Sequence, residues 1–171
     1  MKLAITDACI FIDLHDLDLT VAFFSLDLEI HTSLDVYNEL YPEQKTVLNA
    51  FLSVDKLHIH NINAKSRLEI MATAYPLGLS EVDKTVLYLA QKYDALVISS
   101  DKAVRNFAKK LTIDYHGMLW IFDQMIAQEK MTKATAILKL TELISKNKIY
   151  QNNVKLRAEF QKRMEGWREI E

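Results

Sequence analysis

The sequence predicts an α/β fold: a doubly wound parallel sheet of about four to five strands flanked by helices, with a helical C-terminal extension. Three observations predict it. Short apolar runs alternate with longer helical patterns, and no tight hairpin signal joins two strands. Only 3 Gly and 2 Pro occur in 171 residues, which favours regular structure over long linkers. Hydrophobic residues make up 50% of the chain, enough for a sizeable core.

The first half of the chain is predicted to alternate strand and helix. The apolar run "KLAIT" is a strand that stops at Asp7, and Ser33 is placed to cap the helix that follows the second strand. Pro42 separates that helix from the next one. The segment "KLHIHNI" begins by alternating polar and apolar side chains, as a strand does. The predicted strands are residues 2–6, 28–32 and 56–62, and the predicted helices are 8–14, 19–26, 33–41, 43–53 and 64–75.

The second half continues the alternation and then becomes wholly helical. Ser80 caps a helix that carries Asp83 in its first turn, and "ALVIS" is a fully apolar strand followed by Ser100 and Asp101. We divide the chain into an α/β domain, residues 1–126, and a helical extension, residues 127–171, packed on the same domain. The predicted strands are residues 95–99 and 112–115, and the predicted helices are 81–93, 102–111, 116–130, 132–146 and 150–169.

Composition narrows the setting in which this chain works. The single cysteine, Cys9, cannot form an internal disulfide, which indicates a reducing, cytoplasmic compartment. No uninterrupted apolar run approaches the roughly 18 residues of a membrane span, and Asp7 interrupts the place of a signal-peptide core. Residues 1–126 hold 17 acidic and 11 basic side chains, whereas residues 127–171 hold 6 and 10. On charge alone, a solvated amphipathic tail is favoured over a surface for a polyanion.

Four acidic residues are predicted to meet at one edge of the sheet. Asp7 and Asp101 each follow a strand, at the carboxyl edge where parallel α/β sheets bind ligands. Glu39 and Asp83 lie on helices that can reach the same edge. Four converging carboxylates repel one another unless a divalent cation joins them, and oxygen ligands suit Mg²⁺ or Mn²⁺. Taken singly, each acid has an ordinary explanation as a helix cap or a solvated side chain.

These segments, in this order, resemble the PIN-domain ribonucleases. Asp7 in "DACIFI" looks like the opening motif of that family, and "TSLDVYNEL" with Glu39 is similar to its second acidic segment. The segment from "LSEVDK" to "AKKL", with Asp83 and Asp101, resembles the third and fourth, and "HGMLWIFDQMI" resembles the Gly-led helix after the last strand. The resemblance covers about residues 2–126. Cys9 departs from the small polar residue common at its position, and no further acid stands just after Asp101, which leaves a second metal ion in doubt.

The resemblance implies a metal-dependent endoribonuclease. Asp7, Glu39, Asp83 and Asp101 would hold one or two Mg²⁺ or Mn²⁺ ions. Ser99, two residues before Asp101, would orient that acid by a hydrogen bond, and Lys102 and Arg105 would meet the scissile phosphate. Because many relatives are toxins of VapBC-type toxin–antitoxin pairs, an antitoxin protein is a candidate partner beside the RNA substrate. The basic tail is a candidate surface for RNA or for a homodimer.

Several alternatives stay open at this point. Arg105 stands four residues after Asp101 and is equally suited to pair with it as to bind a phosphate. The H-x-H of His58 and His60 is better explained as the polar face of a strand than as a zinc site. The runner-up function is a non-catalytic PIN-like module that binds a protein or RNA. The third is an aspartyl phospho-acceptor or phosphatase-like domain, disfavoured because Asp7 lacks the D-x-D pattern of such phosphatases.

Overall fold

The computed structural model describes residues 2–168, and within them strands and helices alternate as the sequence predicts. The strands are β1 (Lys2–Thr6), β2 (Leu28–Ser33), β3 (Leu57–His60), β4 (Leu96–Ile98) and β5 (Tyr115–His116). The helices are α1 (Ala8–Asp16), α2 (Thr20–Phe24), α3 (Leu34–Glu39), α4 (Pro42–Leu52), α5 (Ala64–Ala72), α6 (Glu81–Tyr93), α7 (Lys102–Lys110), α8 (Met118–Ala127), α9 (Lys133–Lys146), α10 (Lys148–Asn152) and α11 (Val154–Arg168).

The five strands form one parallel sheet in the order β3-β2-β1-β4-β5. The chain builds outward from β1 to β2 and β3, and then returns to place β4 on the other side of β1. The topology therefore reverses between β1 and β4, so that a crevice opens at their carboxyl ends. The predicted fold class, a doubly wound parallel sheet flanked by helices, is confirmed.

The core lies on both faces of the central strands. Ile5 on β1 and Val97 and Ile98 on β4 have no measurable exposure, as expected for parallel strands that are covered by helices on both sides. Large side chains from α1 and α8, including Phe11 and Phe122, are also buried. Each such side chain contributes roughly 1.5–3 kcal/mol when fully buried. This packing fixes the strand ends that carry the candidate site.

Most predicted elements end within one to three residues of the observed ones, and two differ in a way that has an identifiable cause. The last strand was expected at residues 112–115, but β5 contains only Tyr115 and His116. The reason is that Thr112, in the left-handed region with φ 56°, lies in the turn that closes α7, where the Ile113 amide donates to the Ala108 carbonyl. The predicted helix over residues 150–169 is broken at Asn153, whose extended backbone separates α10 from α11. Its last residue lies outside the described part of the chain.

The C-terminal helices pack against one another and close over the α/β core. Tyr150 on α10 and Phe160 on α11 are almost fully buried, and their rings lie 5.4 Å apart. Leu140 and Leu143 on α9 are buried as well. Among the described helices, none is long and apolar enough to cross a membrane. The division of the chain at residue 126 stays a prediction.

Candidate active site

Asp7 lies at the carboxyl end of β1, where the strand gives way to α1. Its backbone amide donates to the Ile98 carbonyl at 3.0 Å, which extends the pairing of β1 with β4 by one residue. Its side chain caps α1, because Oδ1 accepts from the Ala8 amide at 2.7 Å. The residue is only 6% exposed. Sequence and sheet geometry thus hold a carboxylate rigidly in the crevice between β1 and β4.

Ser99 and Cys9 surround the other carboxylate oxygen of Asp7. The Ser99 hydroxyl donates to Oδ2 at 2.6 Å and accepts from the Asp101 amide at 3.1 Å. The Cys9 thiol donates to the same Oδ2 at 3.6 Å. Burial and the neighbouring Asp7 charge raise the pKa of Cys9, so the thiol stays protonated. Ser99 therefore orients Asp7 and also links it to the loop that leads to Asp101.

The first turn of α6 is anchored at the same sheet edge, and it carries Asp83. The Thr85 hydroxyl, buried on α6, donates to the Ser33 hydroxyl at the end of β2 at 2.7 Å. Asp83 and Ser80 form a capping box, in which the Ser80 amide donates to Asp83 Oδ2 at 2.7 Å. Glu39 ends α3, the short helix that Ser33 caps, and is exposed.

The charges of these three acids act on one another. Burial raises the pKa of Asp7, the Ser99 and Ala8 hydrogen bonds oppose that rise, and the negative charge of Asp83 adds to it. Partial burial also raises the pKa of Glu39, and the charges of Asp7 and Asp83 raise it further. The negative charge of Asp83 thus acts on both Asp7 and Glu39, as expected for acids at one edge of the sheet.

Asp101 stands at the start of α7 in a more exposed setting. Its Oδ1 accepts from the Ala103 amide at 2.7 Å and from the Val104 amide at 3.0 Å, so it caps the helix. Lys102 is exposed beside it. Arg105 forms no ion pair with Asp101 in the described part of the chain. Its guanidinium lies 5.4 Å from the centre of the Tyr115 ring, and its buried Nε has no hydrogen-bond partner among residues 2–168.

The donor set at this edge fits a hard divalent cation. Across residues 2–168, no Lys, Arg or His lies within salt-bridge distance of Asp7, Glu39, Asp83 or Asp101. A buried carboxylate whose neighbours are neutral hydrogen-bond donors and other acids has no cation nearby to balance its negative charge. Carboxylate oxygens are the ligands that Mg²⁺ and Mn²⁺ prefer. Asp7, Asp83 and Glu39 are therefore the residues that could hold such an ion, with Asp101 at the rim.

The tightest group of potential ligands in the described chain lies elsewhere. Glu29, His31 and His58, on β2 and β3, bring their ligand atoms within 4.8 Å of one another. The four acids at the carboxyl edge are spread more widely than that. The three residues come from the segments "EIH" on β2 and "HIH" on β3. Neither segment alone indicates the group, because only the strand register, which pairs His31 with His58, brings its members together.

A buried polar network also lies beside the site, and the sequence alone does not predict it. The Tyr150 hydroxyl donates to Asp13 Oδ2 at 3.0 Å and contacts the Ser100 hydroxyl at 2.8 Å. The Asn147 amide donates to the other Asp13 oxygen at 3.1 Å. Ser100 directly precedes Asp101, so this network connects α10 to the loop of the candidate site. The sequence separation of 137 residues between Asp13 and Tyr150 leaves no local signal.

The comparison with protein families decides where this architecture belongs. A family model described as PIN domain matches residues 3–164. The chain belongs to the PIN-domain family. PIN domains are generally nucleases and typically bind a divalent metal ion. Comparison with curated protein sequences finds no match.

Two archaeal structures resemble this PIN domain in chain path. One is a PilT N-terminus domain protein from Sulfolobus solfataricus P2, with 12% sequence identity and a TM-score of 0.45, over 73% of this chain and 94% of that one. The other is a domain of a functionally unknown protein from Methanocaldococcus jannaschii DSM 2661, with 20% identity and a TM-score of 0.49, over 69% of this chain and 91% of that one. Neither likeness bears on activity.

Proposed function

We propose that this PIN domain is a metal-dependent endoribonuclease that hydrolyses RNA phosphodiester bonds at the carboxyl edge of its sheet. The observation that carries the proposal is Asp7, a buried carboxylate at the switch point between β1 and β4. It has no basic partner in the described chain and lies within the electrostatic reach of Asp83. A carboxylate in that position destabilises the fold unless it meets a cation, and that cost is tolerated at functional sites.

Different residues of the site bind the metal ion and the substrate phosphate. Asp7 is the rigid ligand, because Ala8 and Ser99 fix its two oxygens, whereas Glu39 and Asp83 complete the ligand set from α3 and α6. When bound there, Mg²⁺ or Mn²⁺ would polarise the phosphodiester and lower the pKa of an attacking water. Lys102 and Arg105 bind the substrate phosphate, since neither is paired with an acid in the described chain.

The substrate is expected to enter a cleft beside the acids. This cleft, of about 540 Å³, lies between the start of α7 and the C-terminal helices. Asp101, Lys102 and Arg105 line one side of it, and Tyr150 and Lys155 line the other. Cations on both walls suit the polyanionic backbone of a single strand. Asp13, Asp101 and Glu159 also line the cleft, so the support for RNA as the substrate rests on the three cations that would contact its phosphates.

The test is cleavage of a labelled single-stranded RNA with Mg²⁺ or Mn²⁺ as the added metal. Asp7→Asn is expected to lower the rate at least about 100-fold, because the loss of even an outer-shell partner of a metal commonly costs 10–100-fold. The thermal midpoint is expected to stay close to that of the parent protein or to rise, because Asn also caps helices and carries no buried charge. EDTA is expected to abolish the activity of the parent protein.

Asp55→Asn is the matched control, since it makes the same change on an exposed acid in the turn before β3. That variant is expected to cut RNA at the parental rate. Full activity of Asp7→Asn, or of the parent protein in EDTA, would contradict the proposal. If calorimetric titration with millimolar Mn²⁺ detects no binding, the non-catalytic PIN-like module is the better description. The antitoxin partner and the homodimer stay predictions.

A further inference from the structure

Three histidines and a glutamate form a cluster on β2 and β3 that contains none of the acids of the candidate nuclease site. His31 pairs in register with His58, and His60 follows two residues later on the same face of β3. Glu29 precedes His31 by two residues, so its side chain also lies on this face. The rings of His31 and His58 are 4.5 Å apart, and those of His31 and His60 are 5.0 Å apart and stacked.

The geometry points to a binding site for a divalent transition-metal ion formed by Glu29, His31 and His58, and we propose zinc as the ion that fits it best. The ligand atoms of the three side chains lie within 4.8 Å of one another. Zinc bonds to nitrogen and oxygen at about 2.0–2.2 Å, which places tetrahedral ligands roughly 3.3 Å apart. Small side-chain rotations therefore suffice to close the site, without movement of the strands.

The donor types select the metal. Two imidazoles and one carboxylate are a ligand set that zinc uses, with a fourth position left for water or another group. Imidazole nitrogen suits zinc, copper and nickel, whereas Mg²⁺ prefers an all-oxygen site. In this respect the cluster differs from the four carboxylates at the carboxyl edge of the sheet. The two sites are therefore expected to select different ions.

The state of the ligands also suits metal binding. The His31 side chain is 8% exposed and that of Glu29 is 41% exposed, so the cluster opens to solvent on the glutamate side. An ion can therefore reach the ligand atoms from solvent along the Glu29 side chain, while the His31 ring stays held inside the cluster.

His60 and Tyr93 supply the outer support that metal-bound histidines commonly have. His31 Nε2 lies 2.9 Å from Glu29 Oε1, and His31 Nδ1 lies 2.7 Å from His60 Nε2. If Nε2 binds the ion, Nδ1–H donates to His60, whose own Nδ1–H faces the Tyr93 hydroxyl at 3.3 Å. Without the ion, the same contacts run in the opposite direction, from Tyr93 to His60 to His31 to Glu29. Both neutral states satisfy the network.

The sequence alone favoured the polar face of a strand over a zinc site for His58 and His60. The structure changes that balance, because it adds Glu29 and His31 from the neighbouring strand. An ion bound by these residues would join β2 to β3, which is an edge strand of the sheet. Such an ion would stabilise the edge of the sheet, which is a role separate from RNA cleavage.

The test is calorimetric titration of the 171-residue protein with Zn²⁺ in millimolar Mg²⁺, which competes at the carboxylate site. One Zn²⁺ per chain is expected, together with a rise of the thermal midpoint, because an ion that binds only the folded state stabilises it. His58→Gln and Glu29→Gln are each expected to weaken binding at least about 10-fold. His116→Gln is the matched control, since His116 lies 3.2 Å from Asp114 but has no second histidine partner in the described chain.

Asp7→Asn separates this site from the nuclease site, and its Zn²⁺ affinity is expected to equal that of the parent protein. Variants of His31 are left out of the test, because the residue is almost buried and its replacement would also disturb the fold. Absence of Zn²⁺ binding by the parent protein would overturn the proposal. Equal Zn²⁺ affinity in the parent protein, His58→Gln and Glu29→Gln would overturn it as well, because the ion would then bind elsewhere.

Discussion

Asp7 is both a helix cap and a candidate metal ligand. When only the sequence is known, these two roles compete as explanations for the residue. One oxygen caps α1 through the Ala8 amide, and the other receives the Ser99 hydroxyl. Asp83 and Asp101 also cap helices, through Ser80 and through the Ala103 and Val104 amides. Capping therefore does not argue against a metal site, because a cap uses one carboxylate oxygen and fixes the direction of the other.

Ser99 is a positioning residue whose effect on Asp7 can be measured. Its hydrogen bond stabilises the ionised carboxylate, so Ser99→Ala is expected to raise the pKa of Asp7 further. The acidic limb of the kcat/KM profile for RNA cleavage should then move to higher pH, and the rate near neutral pH should fall about 10-fold. The free energy of unfolding should fall by about 1–3 kcal/mol, since a buried hydrogen bond to a charged group is lost.

Ser53→Ala, an exposed change at the end of α4, serves as the control for Ser99→Ala. A purely structural role for Ser99 would lower the rate equally at every pH. An unmoved acidic limb in Ser99→Ala would therefore contradict the assignment, even if the protein became less stable.

At the scale of elements, the contact between α1 and α10 holds the C-terminal helices against the candidate site. Asp13 is buried, accepts hydrogen bonds from Tyr150 and Asn147, and has no cation within salt-bridge distance in the described chain. Burial raises its pKa, although both hydrogen bonds oppose the rise. Because Tyr150 also contacts Ser100, one polar network connects three segments that are far apart in sequence.

The raised pKa of Asp13 predicts a pH-dependent stability. The folded state favours the protonated acid, so this contribution is fully present below the unfolded pKa, about 3.9, and is lost as the pH rises through the higher folded pKa. Asp13→Asn stays uncharged and can accept from Asn147 while it donates to the Tyr150 oxygen. The free energy of unfolding of the parent protein, minus that of Asp13→Asn, should therefore decrease as the pH rises from about 4.

Urea denaturation of both proteins between pH 4 and pH 8 measures that difference. Asp55→Asn, on an exposed turn, is the control and should show no comparable trend relative to the parent protein. A difference between the parent protein and Asp13→Asn that stays constant across this range would show that Asp13 titrates as an ordinary surface acid.

Most elements were predictable because their signals are local. Ser33, Ser80 and Asp101 cap helices as the sequence indicates. The exceptions were decided by backbone geometry that the residue type does not reveal. Thr112 adopts a positive φ that β-branched residues rarely take, and the turn that contains it shortens β5. Asn153 caps α11 by accepting from the Leu156 amide, which breaks a segment whose composition suits one continuous helix.

At the scale of the whole molecule, the acidic body and the basic tail meet across the cleft beside Asp101. Lys155 on α11 faces the side of the cleft that Lys102 and Arg105 line. If RNA occupies this cleft, Lys155→Gln should reduce the slope of log Kd against log salt concentration by about 0.7, the value for one phosphate contact on a single strand. Filter binding with an Asp7→Asn background, which leaves the RNA intact, measures the slope.

Lys56→Gln is the matched control for Lys155→Gln. Lys56 is exposed and directly precedes β3, at the amino edge of the sheet, opposite the candidate site. Its replacement should leave the salt slope unchanged. Equal slopes for the two variants would contradict an RNA path along the C-terminal helices.

The sequence predicts the acids of the candidate site, and it does not predict their surroundings. A strand followed by an acid is a local pattern, and strand order then brings Asp7 and the loop after β4 together. The Asp13–Tyr150 network and the histidine cluster depend on which segments become neighbours in space. Asp13 and Tyr150 are separated by 137 residues, and His31 and His60 by 29. No spacing rule links such pairs, so only the tertiary structure identifies them.

The place of β4 beside β1 has a consequence for protein synthesis. Asp7 obtains its hydrogen bond from Ser99, which is 92 residues further along the chain. A nascent chain therefore contains its first acid long before it contains the strand that orients it. Until β4 has been made and has paired with β1, Asp7 lies at an incomplete sheet without Ser99 or Asp101. If the protein cleaves RNA as proposed, its site is therefore completed only after β4 has been made.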